Sequence, residues 1–220
     1  MTSRLPAVAG TRRELNSRVA LVIASLFALA GFLWPLIATA VPKDAQAAVP
    51  VLALALVPVA VVALALTVDR QMHSATSVAL LGMLTAVGAA VRIAGTGVGG
   101  LEAVFIVLIL AGRAFGARFG FLLGMLVISL SSVLWGGIGP WTPFQIFACG
   151  WVAAGAGLLP RITARSQRRA ARLEVLMLVG YGILASYAFG LIMNLWFWPF
   201  AVGAGSDISY SAGAPLGQNL

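Results

Sequence analysis

The chain has 220 residues, of which 61% are hydrophobic and 9% charged, with 14 Lys and Arg against 6 Asp and Glu. Soluble domains carry about 25% charged residues, so this composition lies far outside the soluble globular classes. The net charge of +8 is spread between apolar runs, which assigns it to loops at a membrane surface rather than to a nucleic-acid-binding patch.

Residues 1–17 are polar, include Arg4, Arg12 and Arg13, and are expected to form a disordered cytoplasmic lead. Apolar runs follow at 18–41, 49–68, 74–94, 101–112, 119–135, 144–159 and 173–200. A helix needs about 20 apolar residues to span a bilayer, and these seven stretches meet or approach that length. The expected fold is therefore all-α, a polytopic membrane helix bundle with seven spans. The fourth run is short. At about 1.5 Å per residue it barely crosses ~30 Å of hydrocarbon unless the glycines before it also become helical, and a re-entrant loop is its rival reading.

The charges arbitrate. With a cytoplasmic amino terminus and seven spans, the inner segments hold twelve of the fourteen Lys and Arg residues, and only Lys43 and Arg92 fall outside. The positive-inside rule asks for this asymmetry, whereas a re-entrant fourth run breaks it. The first run has a second reading as a signal peptide, because Ala38-Thr39-Ala40 resembles a cleavage site, but it is longer than the usual apolar stretch of such peptides. An odd number of spans leaves the polar tail at 206–220 outside, as if the chain stopped before one more helix.

Three stripes of small residues at four-residue spacing can bring helix backbones together: Gly82, Ala86 and Ala90; Gly116, Gly120 and Gly124; and Gly182, Ser186 and Gly190. Packing within the bundle accounts for two of the three. A stripe left on the outside is a docking face for another membrane protein.

The chemical signals are few. Gly95, Gly97 and Gly100 match G-x-G-x-x-G formally, but they follow a membrane helix rather than a strand, so nucleotide binding is rejected. His73 is the sole histidine, and metal catalysis has no support from it. Cys149 is the sole cysteine, which rules out an intrachain disulfide and reads as a buried inert thiol. Ser129, Ser131 and Ser132 lack a base on their side of the membrane and are expected to hydrogen-bond across helices. No cofactor or metal is predicted.

The segment at 136–160, GGIGPWTPFQIFACGWVAAGAGLLP, is the most informative. Its uncharged loop carries Trp141 and leads into a helix with Gln145 near its start. Five of the six tryptophans (Trp34, Trp135, Trp141, Trp196 and Trp198) fall at outer ends of runs. An interfacial belt is the ordinary explanation, but belts form at both interfaces. Belt placement suits Trp34. Trp135, Trp141, Trp196 and Trp198 are expected to converge on a solute pocket. Polar residues at the same depth are Glu102, Gln145, Asn194 and Arg92, and an Arg92–Glu102 ion pair is the structural alternative for those two. Gln145 and Asn194 are the stronger candidates for ligand contact through amide donors and acceptors.

From residue 74 onward the chain resembles the substrate-binding S components of energy-coupling factor (ECF) vitamin transporters. The resemblance is carried by ALLGMLTAVGAAVRI at 79–93, GGLEAVFIVLILAGRAFGARFGFLLG at 99–124, GPWTPFQIFACGWVAAGAGLLP at 139–160 and NLWFWPF at 194–200. It implies a lead at 1–17, a two-helix amino-terminal membrane extension at 18–73 and an S-component-like bundle at 74–220 that lacks its last helix. It further implies a multi-pass protein of the cell membrane that binds a vitamin or cofactor precursor near the outer face. Its partners would be a transmembrane coupling (T) protein and two ATPase subunits, and Gly82, Ala86 and Ala90 match the stripe that meets the coupling protein. A bulky, cobalamin-type compound suits an aromatic pocket with few charges. The rival functions are an intramembrane enzyme acting on lipid or peptide, and a ligand-free membrane-assembly subunit.

Overall fold

The structure, a computed structural model, describes residues 7–33, 59, 74–95, 103–138, 141–164 and 166–201. Its described residues form six helices: α1 Ala7–Phe32, α2 Ala75–Gly95, α3 Val104–Phe115, α4 Ala117–Trp135, α5 Thr142–Leu158 and α6 Gln167–Ala201. Three segments are long and apolar enough to cross a membrane, Ala75–Gly95, Ala117–Trp135 and Gln167–Asn194. This makes the chain a helical membrane protein. The remaining helices fall short: the apolar stretch of α1 covers Leu21–Phe32 alone, α3 has 12 residues and α5 has 17, so the count of seven spans is not reached by the described helices alone.

Two boundaries differ from expectation. Helix α1 begins at Ala7, inside the segment read as a disordered lead, because Pro6 is followed by good helix formers such as Ala7, Ala9, Arg12 and Leu15. Helix α6 begins at Gln167 rather than 173, since Arg168, Arg169 and Arg172 are polar yet favour helix. Hydropathy marks where lipid begins, and a helix can start earlier.

The core is α3, α4 and α5, held together by glycines. A methyl group added at Gly112 would lie 1.9 Å from the Ala153 carbonyl oxygen, and one at Gly124 would lie 2.6 Å from that of Cys149. At Gly157 it would lie 2.3 Å from the Ala117 nitrogen. Only hydrogen fits at these crossings, so backbones touch, which is how membrane helices gain packing energy without a hydrophobic driving force between them. Gly116 (φ 91°) separates α3 from α4, and Gly136 (φ 72°) ends α4. Leu108, Leu122, Leu123, Val127, Cys149 and Ala153 fill the spaces between the crossings.

Pairwise contacts give the directions. Gly157 meets Ala117 and Gly124 meets Cys149, so α4 and α5 are antiparallel. Gly88 faces Val127 and Arg92 reaches Ser131, so α2 runs parallel to α4. Ser25 bonds Trp151 and Phe32 packs edge-on to Phe144 at 4.9 Å, which sets α1 antiparallel to α5. Phe105 packs edge-on against Phe189 at 5.1 Å while Arg113 pairs with Glu174, so α6 is antiparallel to α3. Helices α1, α2, α4 and α6 therefore point one way, and α3 and α5 the other.

Of the three small-residue stripes, that of α4 is consumed in packing at Gly120 and Gly124, while Gly116 serves the turn. In α6, Gly182 lies in contact with Ile109, and Gly190 meets nothing within 4 Å. The α2 stripe is left outside: Gly82, Ala86 and Ala90 are all exposed, opposite the buried Leu81, Thr85, Gly88 and Ala89.

Candidate functional site

Three polar side chains meet at the end of the bundle where α2 and α4 finish and α5 starts. Arg92, in the last turn of α2, donates from Nη1 to Ser131 Oγ at 2.9 Å and from Nη2 to Gln145 Oε1 at 3.1 Å. Ser131 is fully buried and donates in turn to the Val127 carbonyl at 2.7 Å, the back-bond that a serine makes within a helix. Its lone pairs face Arg92 because its proton is committed to α4. Gln145, in the first turn of α5, is half-buried. With Oε1 turned to the guanidinium, its Nε2 carries two N–H donors on the other side of the amide.

Local sequence explains why the three converge. Gly88 brings α2 within van der Waals reach of Val127, and Arg92 follows one turn later on the same face. Pro143 starts α5 without needing an N–H, so Gln145 is presented immediately below the loop. Two further hydroxyls, Ser132 Oγ, next in sequence to Ser131, and Thr85 Oγ1 about two turns deeper on α2, are buried and lack a hydrogen-bond partner. An orphaned buried hydroxyl costs about 1–3 kcal/mol, so this polar neighbourhood is incomplete as it stands.

The predicted site residues divide. Arg92 and Gln145 come together, and Ser131, read earlier as a helix-linking serine, joins them. Cross-helix bonding holds for Ser131 alone of the three serines, since Ser129 bonds the Met125 carbonyl of its own helix at 2.8 Å. Trp135 is 61% exposed and Trp141 37% exposed, so neither ring is enclosed in a pocket. Helix α4 stops at Gly136, which leaves Trp135 at a free helix end, a position that fits an interfacial belt. Asn194 is exposed on α6. Trp34, Glu102, His73, Gly97, Gly100, the run at 49–68 apart from Val59, and the tail at 206–220 lie outside the described residues, as do the side chains of Trp196 and Trp198.

The opposite end of the bundle holds a feature that sequence reasoning missed. Arg113, ending α3, makes a two-point contact with Glu174 of α6, Nη2 to Oε2 at 3.0 Å, and donates from Nη1 to the Leu159 carbonyl at 2.6 Å and from Nη2 to that of Pro160. Fork-to-carboxylate geometry is the strong form of this interaction. It ties α3, α6 and the end of α5 into one knot. Nothing in sequence spacing links residues 61 positions apart. The available signal was a lone Glu174 among arginines. The chain matches no family model, and no curated protein or solved structure matches it either.

Proposed function

We propose that this protein is the solute-capture subunit of an ECF-type importer, which binds a vitamin or cofactor precursor near the outer membrane face and docks to a coupling protein that is powered by two ATPases. The observation that carries this reading is the Arg92–Ser131–Gln145 cluster, a held array of polar groups inside an otherwise apolar bundle. Intramembrane polar groups are costly and mark solute sites by default. The neighbouring unpartnered Ser132 hydroxyl is what a polar ligand would complete.

Seven spans and a cytoplasmic amino terminus belong to the same proposal. Helices α1 and α2 run in the same direction, so residues 33 and 74 lie at opposite ends of the bundle, and the sequence between them offers one apolar run of spanning length, 49–68, for the proposed return. Arg113, Arg118, Arg161, Arg168, Arg169 and Arg172 gather at the end opposite Arg92, which the positive-inside rule places in the cytoplasm. The exposed Gly82–Ala86–Ala90 face is the proposed seat of the coupling protein.

The test is ligand binding without ATP. Purified protein is screened by thermal shift against B vitamins and their biosynthetic precursors, and one compound is expected to raise the unfolding midpoint and to lose that effect in Gln145→Leu. No response to any compound overturns solute capture. If Gly82→Leu still abolishes co-purification of a coupling protein in that case, a ligand-free assembly role takes its place.

A further inference from the structure

A groove of about 440 Å³ runs between α1, α4 and α5 at the arginine-rich end, far from the Arg92 cluster. Phe121, Trp151, Ala154, Leu158 and Leu26 make its walls apolar. One cation lines it. Arg118, in the first turn of α4, is half-buried, and its Nη2 is shut off from solvent with no hydrogen-bond partner. Arg113, five residues earlier, has acceptors for its Nε, Nη1 and Nη2, so the neglect of Arg118 is not a property of that end of the bundle.

We infer that this groove is a binding site for an anionic phospholipid, with the phosphate on Arg118 and part of one acyl chain lying along Phe121, Ala154 and Trp151. Charge complementarity selects the headgroup, since a guanidinium without an acceptor recovers most of its desolvation cost against an anion, whose charge-assisted hydrogen bonds are about twice as strong as neutral ones. The apolar walls select a lipid over a free phosphate ion. Basic pockets between helices on the cytoplasmic side are where anionic headgroups are held. The groove also explains how α1 stays docked: it touches α5 through the Ser25–Trp151 bond and a small aromatic cluster, and a chain wedged between α1, α4 and α5 extends that contact.

Native mass spectrometry of the full chain in detergent tests this with phosphatidylglycerol and phosphatidylcholine of identical acyl chains. The wild type is expected to retain phosphatidylglycerol about fivefold over phosphatidylcholine, the size of one basic residue's attraction. Arg118→Gln is expected to remove that preference, Arg168→Gln (on an exposed position) to keep it, and Leu26→Trp, which fills the groove, to lower retention of both lipids. Equal retention of the two lipids by the wild type overturns the proposal, as does unchanged preference in Arg118→Gln. Loss of preference in Arg168→Gln to the same extent replaces the site with diffuse attraction to a basic surface. Inorganic phosphate that stabilises the protein as well as lipid does removes the acyl chain from the site. Should Arg118→Gln fail to fold, Arg118→Lys serves, and its loss of the preference by half or more is the supporting result, full retention the opposing one.

Discussion

Two arginines, one at each end of the same bundle, are used in opposite ways. Arg113 meets a carboxylate and two main-chain carbonyls, so its charge and its hydrogen bonds are answered within the protein. Arg92 spends two donors on neutral oxygens, a serine hydroxyl and a glutamine amide. A carboxylate partner fixes helices in place. Neutral partners hold a guanidinium in position while leaving its field for something else. The contrast teaches that intramembrane arginines must be sorted by what accepts from them, since burial alone does not separate a rivet from a recognition group.

The sharpest blow to the arginine-rich end falls beside its rivet. Gly112→Ala puts a methyl group against the Ala153 carbonyl oxygen, where backbone has to move. We expect about 3 kcal/mol of destabilisation, the upper part of the overpacking range, read as a lowered unfolding midpoint in detergent. Arg113→Gln comes next. It leaves Glu174 half-buried without its partner and should cost about 2–3 kcal/mol, less than a fully buried pair because both side chains retain some solvent contact. Ligand affinity of the folded fraction should not change, and a parallel loss of affinity would erase the division of labour between the two ends.

At the other end the expected effects shift from stability to binding. Gln145→Glu gives Arg92 the carboxylate that Arg113 already has. Stability is expected to rise or hold, while affinity for the stabilising solute falls about tenfold, or 1.4 kcal/mol. A gain in stability with affinity intact would make Arg92 and Gln145 a second rivet. The smallest effect belongs to Ser132→Ala. Removing a buried hydroxyl that has no partner should stabilise the apo protein by about 1 kcal/mol, the low end of the cost of an orphaned group, and weaken the bound state if the ligand completes that hydroxyl.

Much of this was legible in the chain, and the illegible part has a common cause. Apolar runs located α2, α4 and α5 to within a few residues, because lipid demands continuous hydrophobicity and glycine ends it cleanly at Gly136. The outer position of Gly82, Ala86 and Ala90 was likewise one of the two outcomes expected of a small-residue stripe. Arg92 and Gln145 were each conspicuous as polar residues in apolar surroundings. Their partnership was not, since the sequence offered Arg92 a nearby Glu102 and gave no hint that α2 and α5 approach 53 residues apart. The expected gathering of tryptophans also fails for Trp135, whose ring position depends on how α4 terminates. Sequence displays which groups are costly; only the crossings at Gly88 and Gly112 determine which of them meet.

Helix α4 can be regarded as a ruler clamped at both ends. Gly116 and Gly136, each in a conformation other residues avoid, fix where it starts and stops. Along it, one face counts off the glycine notches at Gly120 and Gly124, and another presents Ser131 to Arg92. One extra residue inserted after Gly124 would turn Ser131 by about 100° while leaving the notches untouched. The protein's tolerance for length change is therefore low between Gly124 and Ser131, and an inserted residue is accommodated better outside α4.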